Sequence, residues 1–238
     1  SVATALLTVP SPQAALNLLD MARDHAGEAI SAFELIHRQG FAFLSEKLPL
    51  VRQPFEAPPE WCVLIELGLS SDIPAQSILE GMFASALEAE LVSDGLLATT
   101  QAQRNEFWAI REKIPEANRL IGSVSSHDIS LPLSMVPEFI AKGREVLAAI
   151  GAFRINCFGH LGDGNLHYNV FPISGKTRHD YQKERNQIKR ALHDLVHQMH
   201  GSVSAEHGIG RLKTDDLERY GDPVKLTAMR AIKAALDP

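Results

Sequence analysis

The same order of elements, strand–helix–strand–strand–helix–strand, can be read twice along this chain, and that recurrence limits the folds open to it. Residues 2–9 are small and branched apolar residues with the character of a strand. Ser11 and Pro12 then supply an N-cap and a proline for the first helical position, and Ala14, Leu18, Met21 and Ala22 continue at helical spacing. Strands are expected over 29–37 and 61–69, separated by a short helix or loop over 41–48 and a proline-rich loop over 54–59. A helix over 74–91, with Ile78, Met82 and Leu87 on one side, and a strand over 95–99 complete the first set. A helix over 101–121 follows, and then the order returns: strand 127–131, helix 136–150, strands 153–158 and 166–171 joined by a tight loop, a long helix 178–200 and a strand 202–206. A helix over 222–236 closes the chain. This is the order of the split βαβ motif. The expected fold class is α+β: a duplicated ferredoxin-like (βαββαβ) antiparallel sheet with helices on one face. The duplication is one of element order, since no residue-level repeat accompanies it.

The bulk properties narrow the functional classes. A chain of 238 residues, 45% hydrophobic and 22% charged, has ample material for a core. A net charge of -6 argues against a nucleic-acid binder. No apolar run approaches the ~18 residues a membrane span needs. Cys62 and Cys157 lie in apolar contexts and read as buried thiols in a reducing compartment. With no signal peptide visible, the expected location is cytoplasmic, at most peripheral to a respiratory membrane. The chain opens at Ser1 and enters a strand at once, which suggests a piece of a longer polypeptide.

The strongest local signal is Gly159-His160-Leu161-Gly162-Asp163-Gly164-Asn165-Leu166-His167. Asp-Gly between apolar runs signals a two-residue type I′ hairpin. If Asp163 and Gly164 are the loop, His160 faces His167 on one side of the ribbon, with Cβ atoms ~4.5–5.5 Å apart. Two imidazoles so placed can reach one metal. Asn165 and Asn169 alternate onto the same face as His167. The plainer alternative is a pair of surface histidines at a hairpin end.

A second signal is Ser204-Ala205-Glu206-His207-Gly208-Ile209-Gly210. In a regular strand Glu206 and His207 would point to opposite faces, but glycine at 208 lets the backbone turn so that both could converge. A carboxylate added to two histidines gives a His₂Glu set with open positions, the pattern of a catalytic metal; zinc, manganese or iron would suit it. The alternative is a carboxylate paired with Arg211 or Lys213. His193, His197 and His200 share a helix face that reads as solvated, and His25 and His37 read as surface groups. Arg111, expected near a helix end set by Pro115, can grip a carboxylate with two parallel hydrogen bonds, although a surface ion pair would look the same in sequence. Taken alone, these residues leave open a metal-dependent hydrolase, a non-haem iron oxygenase and a non-catalytic metal- or ligand-binding module.

Together the hairpin 159–167, the Glu206-His207-Gly208-Ile209-Gly210 loop and the Trp108-x-x-Arg111 segment resemble the C-terminal domain of FAD-linked oxidases, in the branch of D-lactate, glycolate and D-2-hydroxyglutarate dehydrogenases. The resemblance spans essentially the whole chain, which it implies is one substrate-binding domain over 1–238, with FAD held mainly by a separate domain of the same polypeptide. It implies His160, His167 and Glu206 as ligands of a divalent metal, zinc or manganese, and His207 as general base. It implies Arg111 and Asn169 as substrate contacts; Asn165 is a candidate contact to the flavin. The implied reaction oxidises a D-2-hydroxy acid to the 2-oxo acid with hydride transfer to FAD. The implied partners are the small hydroxy acid and the FAD-binding domain, with no nucleic acid and with a homodimer left open. One departure bears on substrate choice: Ser126 stands where many relatives carry a lysine.

Overall fold

The computed structural model describes residues 1–69 and 74–237. Its strands form a seven-stranded antiparallel sheet in the order β4-β1-β3-β2-β6-β7-β5. In the first unit β1 (Val2–Val9) lies between β4 (Asp94–Leu97) and β3 (Trp61–Gly68), with β2 (Ile30–His37) beyond β3. The helix α1 (Pro12–Ala26) carries the chain from β1 across to β2, leaving the gap that β3 fills, and α3 (Ala75–Glu88) leads to β4. As expected, Ser11 caps α1 by accepting the Ala14 N–H at 3.1 Å. The second unit repeats the arrangement in mirror order with β6 (Arg154–His160), β7 (Asn165–Phe171) and β5 (Asp128–Ser130), linked by α5 (Val136–Ile150) and followed by α6 (Arg185–Gln198). The units meet where β2 pairs with β6 through Glu34↔His160, Leu35↔Gly159 and Ile36↔Phe158.

The α+β class and the doubled order hold, but the helices do not all lie on one face. The helices α1, α3, α5 and α6 cover one face, over Ala5, Leu7, Val63, Ile65 and Tyr168. The other face, with Leu6, Ile36, Cys62 and Leu64, lies under α2 (Arg38–Lys47) and α4 (Gln101–Ile121). Covering on both sides explains why Trp61 to Ile65 are buried without alternation. Leu87, expected to pack, is exposed. The described residues contain no helix long and apolar enough to cross a membrane. Both thiols are buried, and burial pushes that of Cys157 up to about 12.

The eighth strand is not built. Of the expected strand 202–206, one bridge forms, Ser130↔Ser202. The Ser202 hydroxyl turns back onto Ser204, donating to its carbonyl at 3.1 Å and accepting its N–H at 3.2 Å. Such local bonds compete with ladder formation. The long helix expected over 178–200 is divided into a short 3₁₀ turn, Arg178–Tyr181, and α6. A helix that the sequence did not signal, α7 (Thr214–Tyr220), precedes α8 (Pro223–Leu236); the buried residue of α7 is charged, so no apolar period announces it.

That residue is Asp216, and it ends a buried polar chain. Its carboxylate lies 3.1 Å from Nδ1 of His193 and 2.6 Å from Lys189, and Nε2 of His193 lies 3.0 Å from Nδ1 of His127. A carboxylate can only accept, so His193 presents Nδ1–H to it and takes Nδ1–H of His127 on its bare Nε2. His193 is therefore a buried structural residue and not part of a solvated face. His37, expected at the surface, is half-buried against Trp61, its Nδ1 accepting the Gln39 N–H at the start of α2.

Burial, then the nearby His193, Lys189 and Lys213, holds the pKa of His127 well below its ordinary 6.5; burial also lowers that of His193, against the opposite pull of Asp216. The unfolded chain thus binds these protons more readily than the fold does. Their contribution to stability is complete above about pH 6.5 and is lost as pH falls below it. The urea midpoint should drop between about pH 7 and about pH 5, less steeply in His193→Gln; equal slopes in both proteins would show that the pair is not held neutral by the fold.

Candidate active site

A cavity of about 920 Å³ opens beside the seam between the two units, walled by α4, by the polar face of β6 and β7, and by the loop that follows Ser202. The helix α4 begins in a capping box made by Thr100 and Gln103 and buries Phe107, Ile110, Ile114 and Ala117 at helical spacing. It does not end near Arg111: Pro115 sits inside it, and the helix runs on to Ile121. Pro115, which lines the cavity, has no N–H for the Arg111 carbonyl, and the helix continues through it. Arg111 is only 8% exposed. Its Nε donates to Oε2 of Glu34 at 2.6 Å and its guanidinium lies 4.8 Å from the Phe158 ring centre, yet it still reaches the cavity wall.

The hairpin has a different register from the expected one. Leu161–Asp163 form a 3₁₀ turn closed by Gly164 at φ 67, and Phe158, not His160, pairs with His167. A Cβ at Gly164 would lie 2.1 Å from the Leu131 carbonyl oxygen, which is why glycine stands there. His160 lies two residues further along β6 than Phe158, so it keeps the same face by alternation. Its Nδ1 contacts Glu34 and its Nε2 lies 3.3 Å from Oε1 of Glu206. His167 stacks on Phe158 with Nδ1 3.8 Å from Asp128. Burial, then the Arg111 charge, lowers the pKa of His167, which favours the neutral imidazole that a metal needs.

Asp128 organises the loop. Its Oδ2 accepts the backbone N–H groups of Glu206 at 3.0 Å and His207 at 2.9 Å, and its Oδ1 accepts the Asn165 amide at 3.0 Å. Burial pushes the Asp128 carboxyl up, but the His207 N–H, the Asn165 amide and the Glu206 N–H outweigh it and hold the group below the usual range. The loop is also closed by a Ser204 hydroxyl bond to the His207 carbonyl and by Lys213, whose Nζ donates to the Val203 carbonyl at 3.0 Å.

Except for Asn165, the expected site residues therefore line one cavity, in a different grouping. Asp128, His167 and Glu206 each offer a ligand atom within 4.8 Å of the others, while His160 touches Glu206 from the Glu34 side. The mixed imidazole and carboxylate set fits a divalent cation. His207 is exposed on the cavity wall. Asn169 accepts the His127 N–H on Oδ1 at 3.1 Å, leaving its NH₂ free of any recorded partner among the described residues. Asn165 is buried and commits its amide to Asp128. Sequence reasoning missed Glu34 and Asp128. The available signal was a lone acidic side chain inside each of two strand-like runs.

Comparison with known proteins identifies the family. The family described as FAD linked oxidases, C-terminal domain, matches residues 1–238. The mitochondrial D-2-hydroxyglutarate dehydrogenase of Arabidopsis thaliana is 34% identical over 93% of this chain and 38% of its own length. That of Rattus norvegicus is 33% identical over 100% of the chain and 43% of its own length, and the D-2-hydroxyglutarate dehydrogenase of Xanthomonas citri pv. viticola is 31% identical over 99% and 52%. The chain thus spans roughly two fifths to one half of the relatives it matches. Among solved structures, p-cresol methylhydroxylase with substrate bound has the same fold, with a TM-score of 0.68 at 12% identity over 100% of this chain and 51% of its own. Since the family description covers the chain end to end and the dehydrogenases align along nearly all of it, the chain belongs to the C-terminal domain family of FAD-linked oxidases.

Proposed function

We propose that residues 1–238 form the substrate-binding and metal-carrying domain of an FAD-dependent dehydrogenase that oxidises a D-2-hydroxy acid to the 2-oxo acid. The observation that carries this reading is the convergence of His160, His167, Glu206, His207 and Arg111 on one cavity wall. The family membership favours it over a metal-dependent hydrolase, a non-haem iron oxygenase or a non-catalytic module. His167 and Glu206 would hold zinc or manganese with His160, whose Nε2 lies 3.3 Å from Glu206, as third ligand; Asp128, nearest to them otherwise, has both oxygens engaged by the Glu206 and His207 N–H groups and the Asn165 amide and would keep the loop in place. A bound divalent metal supplies Lewis acidity toward the 2-hydroxyl, and FAD, held mainly by another domain of the same polypeptide, supplies the hydride acceptor.

The chain's own residues do the rest. Arg111 is held through Nε, so both of its Nη groups remain for the substrate carboxylate. Asn169 offers its NH₂ beside it. His207 takes the 2-hydroxyl proton, a role open to an imidazole exposed on the cavity wall. The relatives named D-2-hydroxyglutarate dehydrogenases support a dicarboxylate. Ser126 is neutral and donates to Ser123 at 2.8 Å, but Arg119 and Arg178 stand on the same cavity wall and supply positive charge there.

Three outcomes are expected of the full-length flavoprotein. Metal analysis should find about one zinc or manganese per chain, lost in His160→Ala and Glu206→Ala; a metal content unchanged by both would dismiss these ligands. His207→Ala should lower kcat by about 10²–10⁴ with metal retained, and an unaltered kcat would remove it as the base. Arg111→Lys should raise KM for the hydroxy acid about tenfold or more, since an ammonium cannot replace the planar fork; the same KM in both proteins would deny Arg111 the carboxylate.

A further inference from the structure

One buried carboxylate touches both halves of this site, and it comes from the other βαββαβ unit. Glu34 is 2% exposed, in the middle of β2, and faces His160 across the seam. A charge so deep is costly unless every oxygen is used. Oε2 accepts Nε of Arg111 at 2.6 Å, and Oε1 is in contact with Nδ1 of His160. We propose that Glu34 is a positioning residue that sets the carboxylate-binding arginine and the first metal-binding imidazole in register with one another. The proposal rests on the functional reading above and adds a residue to it.

The chemistry of each contact fixes an orientation. A carboxylate accepts only, so the His160 nitrogen facing it carries the proton and the other nitrogen is left bare. With the Nδ1 proton committed to Glu34, Nε2 is the atom left for a metal, and a cation shared between it and Oε1 of Glu206, 3.3 Å away, would satisfy both. Glu34 thereby selects the tautomer and the ring direction in which His160 can coordinate, as a carboxylate behind a metal-bound histidine does. On the other side, engaging Arg111 at Nε uses the edge of the guanidinium and leaves its two-pronged end directed to the cavity. The Phe158 ring under the guanidinium restrains the plane of the fork. Because one side chain does both, the distance between substrate carboxylate and metal is set by a single rigid strand position, where neither partner could slip alone.

The test uses the full-length flavoprotein and Glu34→Gln, which keeps the volume and can still accept from Arg111. Its amide nitrogen, however, presents hydrogens to the proton-bearing Nδ1 of His160. Zinc affinity, read by chelator competition, should fall by about ten- to a hundredfold, and KM for the hydroxy acid should change less than in Arg111→Lys. A residue that served only to fill the core would alter the unfolding midpoint and leave zinc affinity as it was. Zinc affinity within twofold of the parent would overturn the proposal while leaving the functional reading intact; a parent protein that takes up no metal would overturn both. Should Glu34→Gln fail to fold, the parent loaded with cobalt(II) decides. A slowly exchanging, paramagnetically shifted imidazole N–H with a dipolar coupling to the Glu34 side chain is expected, and its absence from a cobalt-loaded parent would sink the idea.

Discussion

The antiparallel seam between β2 and β6 is the contact on which the rest depends. Three residue pairs join two units that could otherwise each be a small open sheet. Backbone pairing fixes those strands in register, and the pleat then decides which side chains share a face. Glu34 and His160 are partners in that register, and Phe158 pairs two residues along with Ile36. A one-residue slip would send His160 into the layer covered by α5 and α6 and would bring a core residue to the cavity. The site is therefore a property of the junction and belongs to neither unit alone.

Much of this order was legible in the sequence, because it is written in local chemistry. The bounds of α4 follow from its capping box, those of α5 from a proline in its first turn and Gly151 at its end, and both helices keep a 3.6-residue apolar period. The strands β1 and β2 follow from short branched apolar runs between turn residues. His167, Glu206, His207 and Arg111, singled out by motif chemistry joined to the family resemblance, line one cavity.

The failures have the opposite character: each was settled by a partner distant in sequence. Asp163-Gly164 has the form of a two-residue loop, yet Leu161 is buried in the core and draws the turn into a 3₁₀ conformation, which shifts the pairing by two. His193 lies on a helix that looks solvated in isolation, and only the arrival of α7 and β5 buries it. Glu34 and Asp128 looked like single charges in strands; their roles appear when Arg111, His160 and the Glu206 loop come to them. Helices on both faces were hinted at by the unbroken burial of β3, but α2 was too short and mixed in composition to be placed beforehand.

The missing eighth strand has a consequence for anyone who would engineer this fold. Had residues 202–206 completed the ladder against β5, successive side chains would alternate, and Glu206 and His207 could not both face the cavity. Their N–H groups would also be spent on a neighbouring strand instead of on Asp128. The edge of the sheet is irregular where the chemistry is, and the lost ladder bonds are the counterpart of a two-residue turn toward the cavity. Regularising that edge with β-branched residues, an ordinary route to a more heat-resistant protein, would trade the turn for the ladder. Stabilising designs for this family are better directed at the far edge of the sheet, beyond β4, where no reacting group depends on the backbone being left unpaired.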